Sequence, residues 1–215
     1  EISPISIGVI YFDNKELLLI AGNSDGSIFQ ESISNPNQTR QFNSSFDSGV
    51  DQIQISSTKK FVACSYMNGS LSILESSGLN CIWKCSFSYG LIQAFGWNKN
   101  DTFLAFAGQN DNFYVINLRN DYEITSFEGH NSFVTSISFD PYQHSDDFII
   151  FTTAEDATLG LWNISLKNNF HIGLNKSSFI GPFNYPLRYV ESMKSCIITV
   201  DTNGTISLWR RVKPK

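Results

Sequence analysis

The chain has 215 residues, of which 41% are hydrophobic and 14% aromatic, Phe alone contributing 18; that is enough apolar material for a substantial core and excludes a disordered chain. A net charge of −5 argues against nucleic acid as a partner, because an acidic surface repels a phosphate backbone. No apolar run approaches the roughly 20 residues that span a bilayer, no signal peptide is expected ahead of the domain, which opens at Glu1, and the four cysteines read as reduced thiols of a cytosolic or nuclear protein rather than a disulfide framework.

In chain order the sequence is a succession of short strand patterns separated by turn residues. "IGVIYFD" leads to "ELLLIAGN", a turn at Asp25-Gly-Ser-Ile, "SIFQESI" and a weaker "TRQFNSSF". "VDQIQIS", "FVACSYM", a turn at Asn68-Gly-Ser-Leu, "SLSILES" and "NCIWKCSFS" follow in the same order. Next come "IQAFGWN", "FLAFAGQ", a worn turn at Asp111-Asn-Phe-Tyr, "FYVINLR" and "YEITSFEG". "VTSISFD", "FIIFTTA", Asp156-Ala-Thr-Leu and "TLGLWNIS" form the fourth set. "PLRYVES", "CIITVDT", Asn203-Gly-Thr-Ile and "TISLWRR" form the fifth. No convincing long amphipathic helix interrupts them.

The turns stand at positions 25, 68, 111, 156 and 203, so successive copies are 43, 43, 45 and 47 residues apart. A tight hairpin turn needs positive φ, which Gly and Asn tolerate, and this explains the residues chosen there. Four antiparallel strands per unit of roughly 40–45 residues describe a WD-type β-propeller blade. The chain is therefore expected to be all-β, one propeller domain over residues 1–215. Its blades fall at about 5–46, 47–88, 89–128, 129–183 and 184–215, the last without an outer strand.

The most complete copy, "EGHNSFVTSISFDPYQHSDDFIIFTTAEDATLGLWN" (128–163), carries Gly129-His130 before its first strand, Asp156 in the turn and Trp162-Asn163 where Trp-Asp is usual. It resembles the WD-repeat family. That resemblance implies a buried hydrogen-bonded chain of His130, Thr152 or Thr153, Asp156 and Trp162, with a structural role. It also implies a full ring of seven blades, so that five are part of a larger ring and two lie outside this chain. "SYGLIQAFGWNKNDTFLAFAGQNDNFYVINL" (88–118), "GHNSFVTSISFDPY" and "CIITVDTNGTISLWRRVKPK" together resemble the creC-like WD-repeat proteins, whose animal relatives bind and activate ubiquitin-specific proteases. The likeness runs from about Ser88 to the C-terminus. The sequence departs from the family pattern at "WNKND", which lacks the spaced Pro of the usual turn, and in a short linker between the fourth and fifth repeats.

Few residues suggest chemistry. Cys81 and Cys85 flank Trp83 on one expected strand, and on a regular strand both thiols would share a face about 13 Å apart, too far for one zinc with bonds near 2.3 Å. His144 and His171 lack a partnering carboxylate or Cys pattern. No Gly-rich loop follows a strand and opens a helix, so nucleotide binding has no support. "HSDD" (144–147) reads as a solvated loop and "RRVKPK" (210–215) as a frayed basic tail. No catalytic residue, metal, cofactor, membrane or small-molecule substrate is expected. The stronger signal is aromatic. Tyr89 and Phe133 stand 44 residues apart, each just before an innermost strand, and exposed aromatics on one rim are typical anchors of a protein interface. Gly90, Asn131 and Ser132 would form the polar surround. The expected function is a non-enzymatic scaffold, cytoplasmic or nuclear, that binds and activates a ubiquitin-specific protease, as the creC-like resemblance implies. The alternative is a general scaffold in a ubiquitin-ligase receptor or trafficking assembly. A hydrolase would need a convergent acid, base and nucleophile, which the sequence does not offer.

Overall fold

A computed structural model describes residues 4–11, 17–33, 35, 39–88, 90–142, 147–167 and 171–210, the first segment by its backbone. The described residues form nineteen strands in five antiparallel sheets, without a helix, in two compact units, Glu1–Ile92 and Gln93–Lys215.

The first unit holds two four-stranded sheets. One runs β1 (Pro4–Tyr11), β2 (Leu17–Asn23), β3 (Ser27–Ser32), β4 (Thr39–Asn43), and the other β5 (Val50–Ile55), β6 (Phe61–Tyr66), β7 (Ser70–Glu75), β8 (Cys81–Ser86). Alternation in β2 sends Leu18 and Ile20 inward, where they meet Ile28, Val50, Val62, Cys64 and Leu74 in one core. Gly22 permits this approach, since a Cβ there would fall 2.4 Å from the Val50 side chain.

The second unit holds three sheets: β9 (Ala94–Trp97), β10 (Phe103–Ala107), β11 (Phe113–Asn117), β12 (Glu123–Phe127); then β13 (Val134–Phe139), β14 (Asp147–Ala154), β15 (Leu159–Lys167), β16 (His171–Ile180); then β17 (Leu187–Ser192), β18 (Cys196–Asp201), β19 (Ile206–Arg210). Phe103, Phe113 and Phe127 of the first sheet interleave with Phe139, Phe148 and Trp162 of the second. Phe151 and Leu159 of the second meet Leu187 and Val190 of the third. These interfaces are apolar because the central strands β6, β7, β10, β11 and most of β14 are buried along their length, on both faces of the sheet.

Three local features differ from a regular strand reading. In β1, β5, β13 and β17 the register shifts within the first residues, between Pro4 and Ser6, Val50 and Gln52, Val134 and Ser136, and Leu187 and Tyr189. Such bulges re-aim a side chain at the rim of a sheet. A further shift lies in β8, where Cys81 pairs with Leu74 but Trp83 with Ile73. The extra residue breaks the alternation, so Cys81 and Cys85 do not share a face, contrary to the expectation for a regular strand. Lastly, the segment between the fourth and fifth repeats is not a short linker but the ten-residue outer strand β16. At "WNKND" the missing Pro is replaced by an Asn turn: Asn98 Oδ1 accepts the N–H groups of Thr102 and Phe103 at 2.7 and 2.9 Å, with Asp101 at φ 56.

Candidate functional site

The turn between β14 and β15 is fixed by the carboxylate of Asp156. Asp156 Oδ1 accepts the Thr158 N–H at 2.9 Å and the Thr158 hydroxyl at 2.6 Å, an Asp-led turn in which the side chain replaces a backbone acceptor. The same device recurs at Asp25, which accepts from Ser27 N–H at 2.9 Å, and at Asn68, which accepts from Ser70 N–H at 3.0 Å. Ala157 sits at φ 61, where three of the other turns carry Gly26, Gly69 and Gly204 at φ 81–84.

From this turn a line of hydrogen bonds runs inward. Asp156 Oδ2 lies 3.1 Å from His130 Nδ1 and accepts the Asn131 N–H at 2.8 Å. His130 Nε2 lies 2.7 Å from Thr152 Oγ1, which accepts the Trp162 Nε1–H at 2.7 Å. One set of proton positions satisfies every group. The indole donates to Thr152, Thr152 donates to Nε2 of a neutral His130, and His130 Nδ1–H donates to the Asp156 carboxylate. Thr153 is not in this line. It faces the other side of β14 and meets Thr135 Oγ1 at 3.0 Å, while Thr135 donates to Leu187 O at 2.6 Å. Alternation along a strand permits only one of the two neighbouring threonines to reach His130.

Two residues without an obvious role in the sequence complete the arrangement. A Cβ on Gly160 would fall 2.6 Å from Thr152 Oγ1 and 2.7 Å from Trp162 Nε1, so glycine leaves the space the bonds occupy. Phe179, from β16, stands edge-on to both His130 (5.1 Å) and Trp162 (5.3 Å). The signal that could have found Gly160 is its place two residues before Trp162. Phe179 lies on the strand the sequence patterns did not reveal.

Burial holds the His130 imidazole below its usual range, although the Asp156 and Asp111 carboxylates pull the other way. For Asp156 partial burial pushes upward, but the Thr158 hydroxyl, the Asn131 N–H and His130 outweigh it, and its carboxyl titrates below the usual range. Asp156, His130 and Thr152 are connected as an acid, a base and a hydroxyl are connected in a hydrolytic triad. Their environment decides against that use. The His130 side chain is fully buried, as is Thr152, and the Thr152 oxygen is occupied by the indole. No substrate reaches these atoms, so the line ties the loop before β13 to the β14–β15 hairpin.

Register-equivalent positions in the other blades show how local this arrangement is. Blade 5 keeps Thr199 and Trp209, bonded at 3.0 Å, but places Phe183 where His130 stands. A cavity of about 40 Å³ remains there, lined by Phe183, Leu187, Thr199, Thr205 and Trp209 among others. Blade 2 has Phe46, Cys64 and Leu74 at the His, Thr and Trp places, all in one apolar cluster. Blades 1 and 3 have Ala21 and Ala107 at the Thr place.

On the rim, Phe133 is 41% exposed, Asn131 and Gly90 are exposed, and Ser132 is half-buried. Tyr89 lies outside the described residues, as do 144–146 of "HSDD" and 211–215 of the basic tail. The Phe133 carbonyl accepts the Glu155 N–H at 3.0 Å. Glu155 in turn pairs with Arg188 at 2.5 Å, and Arg188 is the extra residue of the β17 bulge. His171 pairs with Glu123 at 2.9 Å on the surface. Among the described residues no three His, Cys, Asp or Glu side chains converge as a metal site would require.

Residues 122–163 match the WD domain, G-beta repeat family, a segment that contains the whole hydrogen-bonded line. A chain from the crystal structure of a mitotic checkpoint complex superposes with a TM-score of 0.67 at 17% identity, over 91% of this chain and 59% of that one. The present chain thus spans less than two thirds of that relative's length. The all-β sheets, the repeated turns, the matched repeat and this likeness lead to one conclusion: the fold is that of a WD40-type β-propeller, with five recognisable blades.

Proposed function

We propose that the chain is a non-catalytic protein-interaction scaffold of the cytoplasm or nucleus, and that its partner is a ubiquitin-specific protease whose activity it raises. The observation that carries the docking reading is Phe133. A large aromatic is exposed at the rim while its backbone is fastened on both sides, through Asn131 to Asp156 and through its carbonyl to Glu155. A rigid, exposed aromatic loses little conformational freedom on binding and so makes an efficient anchor. The protease itself is suggested by the creC-like sequence pattern from Ser88 onward. Activation would be allosteric: binding favours the protease's competent conformation, with no residue donated to its chemistry.

A second reading is supported by the mitotic-checkpoint relative, which comes from a multi-protein assembly. The chain would then be a scaffold in a different complex, such as a ubiquitin-ligase receptor or a trafficking assembly. The experiment is to incubate the chain with a set of purified ubiquitin-specific proteases and follow ubiquitin release. Stimulation that disappears with Tyr89→Asp and Phe133→Asp together supports both partner and surface. Stimulation that survives the double substitution removes the surface, and no stimulation by any protease removes the partner.

A further inference from the structure

Asparagine followed by glycine is chemically exposed, because no Cβ on the following residue crowds its backbone nitrogen. The chain has two such pairs, Asn68–Gly69 and Asn203–Gly204, at matching places in blades 2 and 5. Their backbones are alike. Gly69 donates its N–H to Tyr66 O at 2.9 Å with φ 81, and Gly204 donates to Asp201 O at 3.1 Å with φ 82. Any difference between them lies in the side chains.

That difference is specific. Asn68 Oδ1 is anchored by the Ser70 N–H at 3.0 Å, and its turn is enclosed, since a Cβ on Gly69 would meet Gly90 O at 2.5 Å. In blade 5 the position of Tyr66 is taken by Asp201. Its Oδ1 accepts the N–H groups of both Asn203 (3.0 Å) and Thr205 (2.8 Å). Thr205 N–H is the counterpart of the group that anchors Asn68, and Asp201 has claimed it. The Asn203 carboxamide is left without a hydrogen-bond partner among the described residues. Asn203, Gly204 and Thr205 are all exposed, and nothing lies within 4 Å of a Cβ placed on Gly204.

We propose that Asn203 is a site of spontaneous, structure-selected deamidation, and that Asn68 is protected from it. The Gly204 nitrogen attacks Cγ of Asn203 as it gives up its proton. The N–Cγ bond forms, the Cγ–Nδ2 bond breaks, and the amide nitrogen leaves as ammonia. Water then adds to one of the two carbonyls of the cyclic imide and opens it to aspartate or to isoaspartate. Water is the only co-reactant, and no electron is transferred. The product places a second carboxylate beside Asp201, and the isoaspartate form adds one methylene to the backbone between β18 and β19.

The test ages the folded chain at mildly alkaline pH and resolves the two peptides by mass spectrometry, alongside the same chain in denaturant. The anchor on Asn68 is one neutral hydrogen bond, so Asn203 should convert roughly two- to tenfold faster than Asn68 in the folded protein, with the two rates converging in denaturant. Asp201→Tyr, which returns the blade 2 residue and frees the Thr205 N–H, should slow Asn203. If that variant does not fold, the wild-type comparison stands alone. Equal or faster conversion at Asn68 in the folded state, or no conversion at Asn203, overturns the proposal.

Discussion

Replacing Thr152 by Val tests the hydrogen-bonded line with almost no change of shape. The substitution exchanges a hydroxyl for a methyl of similar volume, so the cavity contribution is small. It removes the atom that bonds both Trp162 Nε1 and His130 Nε2 at 2.7 Å. Both stranded groups are buried, Trp162 at 0% and His130 at 5% exposure. An unsatisfied buried polar group costs about 1–3 kcal/mol. Because the two share one partner their costs do not simply add, and about 3 kcal/mol in total is expected. A domain of this size shifts its melting temperature by roughly 2–4 °C per kcal/mol, which gives a fall of about 6–12 °C. The assay is urea and thermal unfolding followed by Trp fluorescence, with Thr153→Val as the control. Thr153 is equally buried but meets only Thr135, which already donates to Leu187 O. Losing that bond should cost about 0.5–1 kcal/mol. If Thr152→Val is no more damaging than Thr153→Val, the line does not tie the blade.

Three further outcomes are expected. In the unfolded chain a histidine titrates near 6.5, whereas burial holds native His130 lower. As the pH falls below about 6.5 the unfolded state binds a proton the native state refuses, so stability declines. It declines again below about 3.9, where an unfolded Asp protonates while native Asp156 resists, and this second loss is complete once the pH has passed the depressed native value; His130→Gln should flatten the first part of a stability profile measured between neutral pH and about 5. Gly160→Ala should cost about 2 kcal/mol or more in urea unfolding, because its Cβ would displace Thr152 Oγ1 and the indole. Ala157→Gly should stabilise by up to about 1 kcal/mol, since it relieves left-handed strain at φ 61 at the cost of some unfolded-state entropy; an unchanged midpoint would show that Ala157 is unstrained.

The five turns were legible because their constraint is local. A hairpin that needs positive φ and a side-chain acceptor admits few residues, and Asp25, Asn68 and Asp156 supply that acceptor, while Asn203 is recognisable by the Gly204 that follows it at φ 82. β16 was not legible for the opposite reason. It is an edge strand, exposed along much of both faces, and "HIGLNKSSFI" carries no apolar alternation over its middle. The register shift where Asn163 and Ile164 pair with Lys176 and Leu174 removes what period was left. The paired thiols of β8 failed similarly, because counting by twos assumes no extra residue. Gly160 and Phe179 show a further limit. Their importance comes from the atoms they meet across the blade, and no spacing along the chain encodes that.

The buried line also governs the rim. Blades 1, 2 and 3 hold together without a His–Thr–Trp set, which shows that an apolar filling is sufficient to build a blade. An apolar group, however, has no means to fix the direction of a neighbouring loop. In blade 4 the same carboxylate that closes the turn also accepts the His130 ring and the Asn131 N–H, so the loop that presents Phe133 is set by directional bonds. Directional bonds specify one geometry, where packing alone tolerates several. On the docking reading, therefore, Thr152→Val should weaken partner binding although Thr152 is fully buried and touches no partner. The loss should appear as an entropic penalty for ordering the loop, and Phe133→Asp in the same background should remove what binding remains.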